Sequence, residues 1–206
     1  MPSCNKRIYF GDDFFDLFDA VYEPAEDTFL FGENLEVKDG DQVLDMGTGC
    51  GLLGILAAKN AKNVIAVDLN PNAIQCAKMN AKLNHVQDKI HFVQSSLFSA
   101  LNLKASFDLI LFNSPYLPSE DGEESSWIGR SWAGGPSGRN VVDRFITQVP
   151  LHLKRHGRIL LMQSTLTGLE ETIEKFGNVG LFACVKAERK LPFFETLILV
   201  EAKAKD

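Results

Sequence analysis

Val43-Leu44-Asp45-Met46-Gly47-Thr48-Gly49-Cys50-Gly51 decides the fold: a short apolar run enters a glycine-dense turn, and a segment of helical spacing begins at Leu52. A buried strand, a tight turn and a helix in that order describe the ligand-binding edge of an open α/β sheet, where glycines permit positive φ and let a ligand approach the backbone. The spacing is G-x-G-x-G rather than the dinucleotide G-x-G-x-x-G. Taken alone, the stretch is a weak signal, a turn without a ligand being the alternative.

Outward from it, apolar runs alternate with helical segments, the pattern of a mostly parallel sheet. The runs at Gln42–Met46, Asn63–Asp68, Lys89–Gln94, Phe107–Asn113, Arg158–Gln163 and Glu195–Glu201 read as strands, with Ala183–Arg189 as a seventh. Leu52–Asn60, Pro71–Leu83, Arg139–Lys154 and Leu169–Phe176 read as helices, Pro71 suiting a first turn. Leu191-Pro192-Phe193-Phe194 reads as the link between two antiparallel strands, which makes one strand of the sheet reversed. The expectation is a single α/β domain over residues 1–206, Rossmann-like and seven-stranded. Residues 1–41 would form an aromatic N-terminal segment, and residues 117–138, rich in Gly, Ser and Glu, a lid loop.

Composition narrows the classes. The 206 residues are 45% hydrophobic and carry a net charge of −6, which gives no general attraction to a phosphate backbone. No stretch approaches the roughly 18 apolar residues of a membrane span, and Met1 to Phe10 holds no export signal, so a cytoplasmic protein is expected. Cys4, Cys50, Cys76 and Cys184 lie far apart without a C-x-x-C pair; reduced thiols and no metal site are expected. His85, His91, His152 and His156 are assigned no chemistry, and Lys154-Arg155-His156 is expected to complement a helix C-terminus.

Chemistry gathers at strand ends. Asp68 closes the second strand, placed to accept two ribose hydroxyl bonds, with an N-cap for the helix at Pro71 as the alternative. Asp45 puts negative charge beside the turn, which suits the ammonium and sulfonium of S-adenosylmethionine and would repel a pyrophosphate. Gly47, Thr48, Gly49 and Gly51 would line the same cofactor with Leu69, while Ser96 and Leu97, after the third strand, would meet an adenine ring. The fourth strand ends in Asn113-Ser114-Pro115-Tyr116, which resembles the Asn/Asp-Pro-Pro-Tyr/Phe tetrad of amino-methyltransferases. There the Asn113 side-chain oxygen and the Ser114 carbonyl would accept the two N–H bonds of a planar amide or amine, and Tyr116 would pack on its plane. Ser114 stands where a proline is usual, which puts the rigidity of the turn in question. A plain turn built on Asn and Pro is the alternative.

Val21-Tyr22-Glu23-Pro24-Ala25-Glu26-Asp27-Thr28-Phe29-Leu30, Ser131-Trp132-Ala133-Gly134-Gly135 and Gly138-Arg139-Asn140-Val141-Val142-Asp143-Arg144-Phe145 resemble the HemK-type protein-glutamine methyltransferases, in their archaeal and eukaryotic branch without the N-terminal helical domain. That resemblance covers nearly the whole chain. It implies S-adenosylmethionine-dependent methylation of the glutamine amide in the Gly-Gly-Gln motif of a class I peptide-chain release factor, hence a role in translation termination. It also implies that Tyr22, Glu26 and Thr28 close over the methionine end of the cofactor, beside contacts from Asp45, Gly47, Asp68, Ser96, Leu97 and Asn113. Ser96 replaces a frequent Asp. For Glu26-Asp27-Thr28 a plain helix start is the alternative. A small zinc-binding activator protein is implied as partner, expected at the apolar N-terminus and the strand Asn63–Asp68, with core packing as the other reading of the Phe residues. Nucleic-acid adenine or guanine, protein lysine, and a non-catalytic cofactor-binding scaffold remain rivals. The acidic Glu120, Asp121, Glu123 and Glu124 weigh against the first.

Overall fold

In a computed structural model, residues 4–204 are described, with the side chains of Cys4, Asn5 and Phe193 outside that description. The chain divides into two compact units at Leu101/Asn102. The first opens on β1 (Cys4–Phe10) and β2 (Asp13–Phe18), an antiparallel hairpin, and continues through α1 (Glu26–Glu33), β3 (Gln42–Met46), α2 (Leu52–Ala58), β4 (Asn63–Asp68), α3 (Pro71–Leu83) and β5 (Ile90–Gln94). The second holds β6 (Phe107–Asn113), α4 (Trp127–Trp132), α5 (Asn140–Gln148), β7 (Leu153–Ser164), α6 (Leu169–Asn178), β8 (Leu181–Lys190) and β9 (Thr196–Ala204). Strands β3 to β9 make one seven-stranded sheet, in the order β5-β4-β3 within the first unit and β6-β7-β9-β8 within the second. The expected α/β class and the single reversed strand are both present: β9 runs antiparallel to β7 and β8.

The parallel strands are apolar because both faces are covered. Val43, Leu44, Val64 and Val67 are fully buried in the first unit, as are Leu109, Ile110, Leu111, Ile159 and Leu161 in the second. Burying a Leu, Ile or Val side chain contributes roughly 1.5–3 kcal/mol, so these rows supply much of the driving force for the sheet.

Of the N-terminal aromatics, Phe15, Phe18 and Phe31 are core, whereas Phe10, Phe14, Tyr22 and Phe29 are half-buried. Phe15 and Phe31 are fully buried and Phe18 nearly so. The hairpin is seated on α3 by two asparagines one turn apart. Asn84 accepts from the Phe14 N–H at 3.3 Å and donates to its carbonyl at 2.9 Å. Asn80, fully buried, does the same for Asp16 at 2.9 and 3.0 Å and donates to the Cys50 carbonyl at 2.8 Å. Residues 14 and 16 share the outward side of β2, so two side-chain amides stand where a third strand would pair.

Several boundaries differ from the sequence expectation. Helix α5 stops at Gln148 rather than running to Lys154, because Pro150 lacks an N–H and diverts the chain into a 3-10 turn over Val149–His152. Lys154, Arg155 and His156 therefore begin β7, not a helix end, and Lys154 pairs with Asp108 at 2.7 Å. The strand Asn63–Asp68 is not an edge: β3 and β5 occupy both its sides, so an activator has no ladder to join there. Cys50, Cys76 and Cys184 are free thiols; the Cys4 side chain lies outside the described residues. His152 is buried and bonds the Ala105 carbonyl at 2.9 Å, a structural role. No helix among the described residues is long and apolar enough to cross a membrane.

Candidate active site

In the first unit the glycine turn is tied down from three sides. Thr48 N–H donates to Val67 at 2.9 Å, Gly49 N–H to the Asp68 carboxylate at 2.9 Å, and Gly51 N–H to Thr48 at 2.8 Å. Gly47, Gly49 and Gly51 have φ of 68°, 56° and 91°, a region costing other residues roughly 1–2 kcal/mol. At Gly51 an added Cβ would press on Ala77 at 3.0 Å, so this glycine also sets the approach of α3. At Gly49 an added Cβ would meet nothing within 4 Å. The open space over Gly49 is what a ligand would fill.

Asp45 faces inward, 1% exposed, with Oδ2 accepting from the Thr48 hydroxyl at 2.5 Å and the Gly54 N–H at 3.0 Å. Burial pushes its carboxyl up to about 6, against the opposing pull of those two hydrogen bonds. Gly54 escaped the sequence reading: it lies mid-helix with no turn signal, yet a Cβ there would stand 2.7 Å from Asp45 Oδ2. Half-buried Asp68, at the end of β4, accepts from Gly49 through Oδ2 and from Asn70 at 2.8 Å through Oδ1. Burial raises its carboxyl too, against N–H bonds from Asn70, Gly49 and Leu69. The N-cap of α3 is Asn70, which accepts from Asn72 at 2.9 Å, so the alternative reading of Asp68 as that cap falls away.

Around these, Leu69 is 45% exposed beside Asp68. Ser95 N–H bonds the Asp68 carbonyl at 2.9 Å, which places Ser96 and Leu97 next to that strand end. Leu97 is buried at φ 49°, a conformation a leucine holds only where its surroundings impose it. Asn70 reaches the Ala20 carbonyl at 2.6 Å, bringing the segment before Tyr22 to the start of α3. The Tyr22 hydroxyl donates to Asp27 at 3.2 Å, and Asp27 also accepts from the Thr28 N–H at 2.6 Å. Burial, then the Asp27 charge, raises the Tyr22 phenol and keeps it protonated. Glu26 is exposed in the first turn of α1.

In the second unit, Asn113 is the last residue of β6, in register with Met162 of β7. Ser114 is 3% exposed and its hydroxyl donates to the Met162 carbonyl at 2.8 Å. That bond restores by a side-chain tether what a proline ring would impose on the turn. Pro115 is half-buried and Tyr116 buried. The lid is more ordered than a loop: a 3-10 turn at Glu123–Ser125 leads into α4, capped by Ser126. Its two ends are stitched by Leu117 N–H to Trp132 at 3.0 Å and Gly134 N–H to Leu117 at 2.8 Å. An added Cβ at Gly138 (φ 73°) would overlap the Tyr116 carbonyl. Arg139, 5% exposed, then anchors the chain: it donates to Thr167 and Gly168 carbonyls, to Thr172 at 3.1 Å and to Asp143 at 2.9 Å. The four lid acids, Glu120, Asp121, Glu123 and Glu124, are all exposed.

The methyltransferase small domain model matches residues 25–128. A protein of Methanocaldococcus jannaschii, provisionally named a protein N5-glutamine methyltransferase, is 46% identical over 87% of this chain and 90% of its own length. The chain belongs to the HemK-type methyltransferases. Human Methyltransferase HEMK2 is 35% identical over 80% of this chain and 81% of its own length. Among solved structures, the E. cuniculi Mtq2–Trm112 complex, responsible for methylation of the eRF1 termination factor, is similar at a TM-score of 0.73 and 26% identity over 90% of this chain and 99% of that one. As a HemK-type enzyme the chain is a methyltransferase.

Proposed function

We propose that this HemK-type chain methylates the side-chain amide nitrogen of the glutamine in the Gly-Gly-Gln motif of a class I release factor, using S-adenosylmethionine. The observation that carries the proposal is the turn at the end of β6, where Asn113 is fixed by ladder register and Ser114 by its hydroxyl bond to β7. A carboxamide substrate has two N–H donors. The Asn113 side-chain oxygen accepts one and the Ser114 carbonyl the other, and Tyr116 covers the amide plane. Held so, the nitrogen lone pair is aimed out of conjugation, and the nitrogen gives up a proton to water after transfer; orientation replaces a strong base. Names of relatives support the substrate: the Schizosaccharomyces pombe protein, 30% identical over 79% of this chain, is an eRF1 methyltransferase catalytic subunit.

The residues of the first unit fit the cofactor. Asp45 and Asp68 are carboxylates with no ion pair among the described residues, both raised by burial, in a turn with open space above Gly49. Such a donor set lacks a cation. S-adenosylmethionine supplies, when bound, an electrophilic methyl on a sulfonium. Asp68 would accept the ribose hydroxyls on lone pairs left by Gly49 and Asn70; Gly47, Thr48, Gly49 and Gly51 would line the turn; Leu69, Ser96 and Leu97 would hold the adenine. Tyr22, Glu26 and Thr28 would cover the methionine end.

A small zinc-binding activator is proposed as partner, pairing with β5, whose outer side joins no strand among the described residues. A cytoplasmic setting follows from the proposed substrate. Labelled methyl transfer to a purified release factor, beside its Gly-Gly-Gln to Gly-Gly-Ala variant and with or without activator, tests the reading. Label on the glutamine form alone supports it; label on both forms, on lysine or on nucleic acid, or none, overturns it.

A further inference from the structure

Gln163 lies fully buried on β7, and neither its Oε1 nor its Nε2 has a hydrogen-bond partner among the described residues. Its polar neighbours are satisfied: Ser164 Oγ accepts from Leu166 at 3.1 Å, the Thr167 hydroxyl donates to Ser164 at 2.9 Å, and Thr165 Oγ1 accepts from Thr196 at 3.0 Å. An unpaired buried amide costs folding free energy that a methionine or leucine in the same space would not. Hydrogen bonds gained by the amide in another state would offset that cost.

The ladder shows which state. Asn113, the last residue of β6, is in register with Met162, and continuing that register one step past the strand end sets Ser114 opposite Gln163. Neighbours across a parallel ladder share a face of the sheet. The Ser114 hydroxyl spends its one proton on the Met162 carbonyl, leaving Oγ as an acceptor. We propose that Gln163 is a positioning residue for the substrate turn: when a substrate amide is held at Asn113 and Ser114, the Gln163 Nε2–H donates to Ser114 Oγ. Ser114 is then gripped from both sides, and its carbonyl is fixed on the substrate N–H. The inference rests on the proposed glutamine methylation and adds a partner for the serine that stands in place of proline.

The test uses the full chain with Gln163→Met, Gln163→Leu, Ser114→Ala and the double variant Gln163→Met/Ser114→Ala. Without substrate, Gln163→Met or Gln163→Leu raises Tm by a few degrees. With release factor, Gln163→Met lowers kcat about tenfold at unchanged S-adenosylmethionine affinity, and the double variant is no slower than the slower single one. A lowered Tm in both Gln163 variants, a wild-type kcat, or effects that multiply in the double variant overturns the inference. If the wild type transfers nothing to release factor, the substrate reading fails first; the Tm comparison needs no substrate and still decides whether Gln163 is unpaired at rest.

Discussion

Replacing Asp45 by Asn removes a titration that the fold makes costly. With the carboxyl raised from 3.8 to about 6, the folded chain prefers the proton, so this group's contribution is fully present below about pH 3.8 and lost as pH rises through about 6. A shift of that size corresponds to about 3 kcal/mol when fully expressed, at about 1.4 kcal/mol per pH unit. Between pH 7.5 and pH 5.0, the cofactor-free wild type should gain about 1.4 kcal/mol that Asp45→Asn does not, by the same linkage. Urea unfolding of both proteins at the two pH values measures it, and the shared titration of Asp68 cancels to first order in the difference. A wild-type minus variant difference that stays constant with pH would refute the reasoning: Asp45 would then have its ordinary carboxyl or a cation beside it. The same proton competes with a cationic ligand, so affinity for S-adenosylmethionine should weaken as pH falls through about 6.

Gly49→Ala should cost the fold only about 1–2 kcal/mol for the left-handed backbone, yet cut cofactor binding severely in calorimetry, because its methyl enters the open space. Gly54→Ala should behave oppositely, destabilising by about 1–3 kcal/mol as Cβ presses on Asp45, visible in the denaturation midpoint before any ligand is added. Asn80→Leu strands the Asp16 N–H and carbonyl and the Cys50 carbonyl, each costing about 1–3 kcal/mol if left unpaired; limited proteolysis should then release the hairpin first. Asp68→Ala should weaken cofactor binding, whereas Asn113→Ala should abolish transfer and leave cofactor affinity near wild type; equal cofactor affinity in Asp68→Ala and wild type would sink the ribose role.

The strands Gln42–Met46, Asn63–Asp68 and Phe107–Asn113 and the helix Pro71–Leu83 are legible to the residue: the first runs into Gly47, the second is an apolar run closed by Asn63 and Asp68, Pro115 follows shortly after the third, and Pro71 opens the helix. The hairpin is not. Phe10, Phe14, Phe15 and Phe18 mix near-helical and alternating spacing, and its buried Asp13 and Asp16 are polar, so no period dominates. The polar start of β7, Leu153–His156, also carries no strand signal of its own. At the site, residue types and order marked Asp45, Asp68 and Asn113. Gly54, Asn80 and Gln163 went unseen because their roles come from partners 9, 64 and 30 residues away, or from the lack of one.

The two asparagines of α3 carry a consequence for solubility. A two-stranded ribbon has a row of backbone donors and acceptors on its outer side, an invitation to another chain. Here a helix answers that row with side-chain amides at its own pitch, giving β2 a cover that another strand cannot displace without unseating the turn at Cys50. The β2 side of the hairpin is thereby closed to recruitment by its neighbours in a crowded solution.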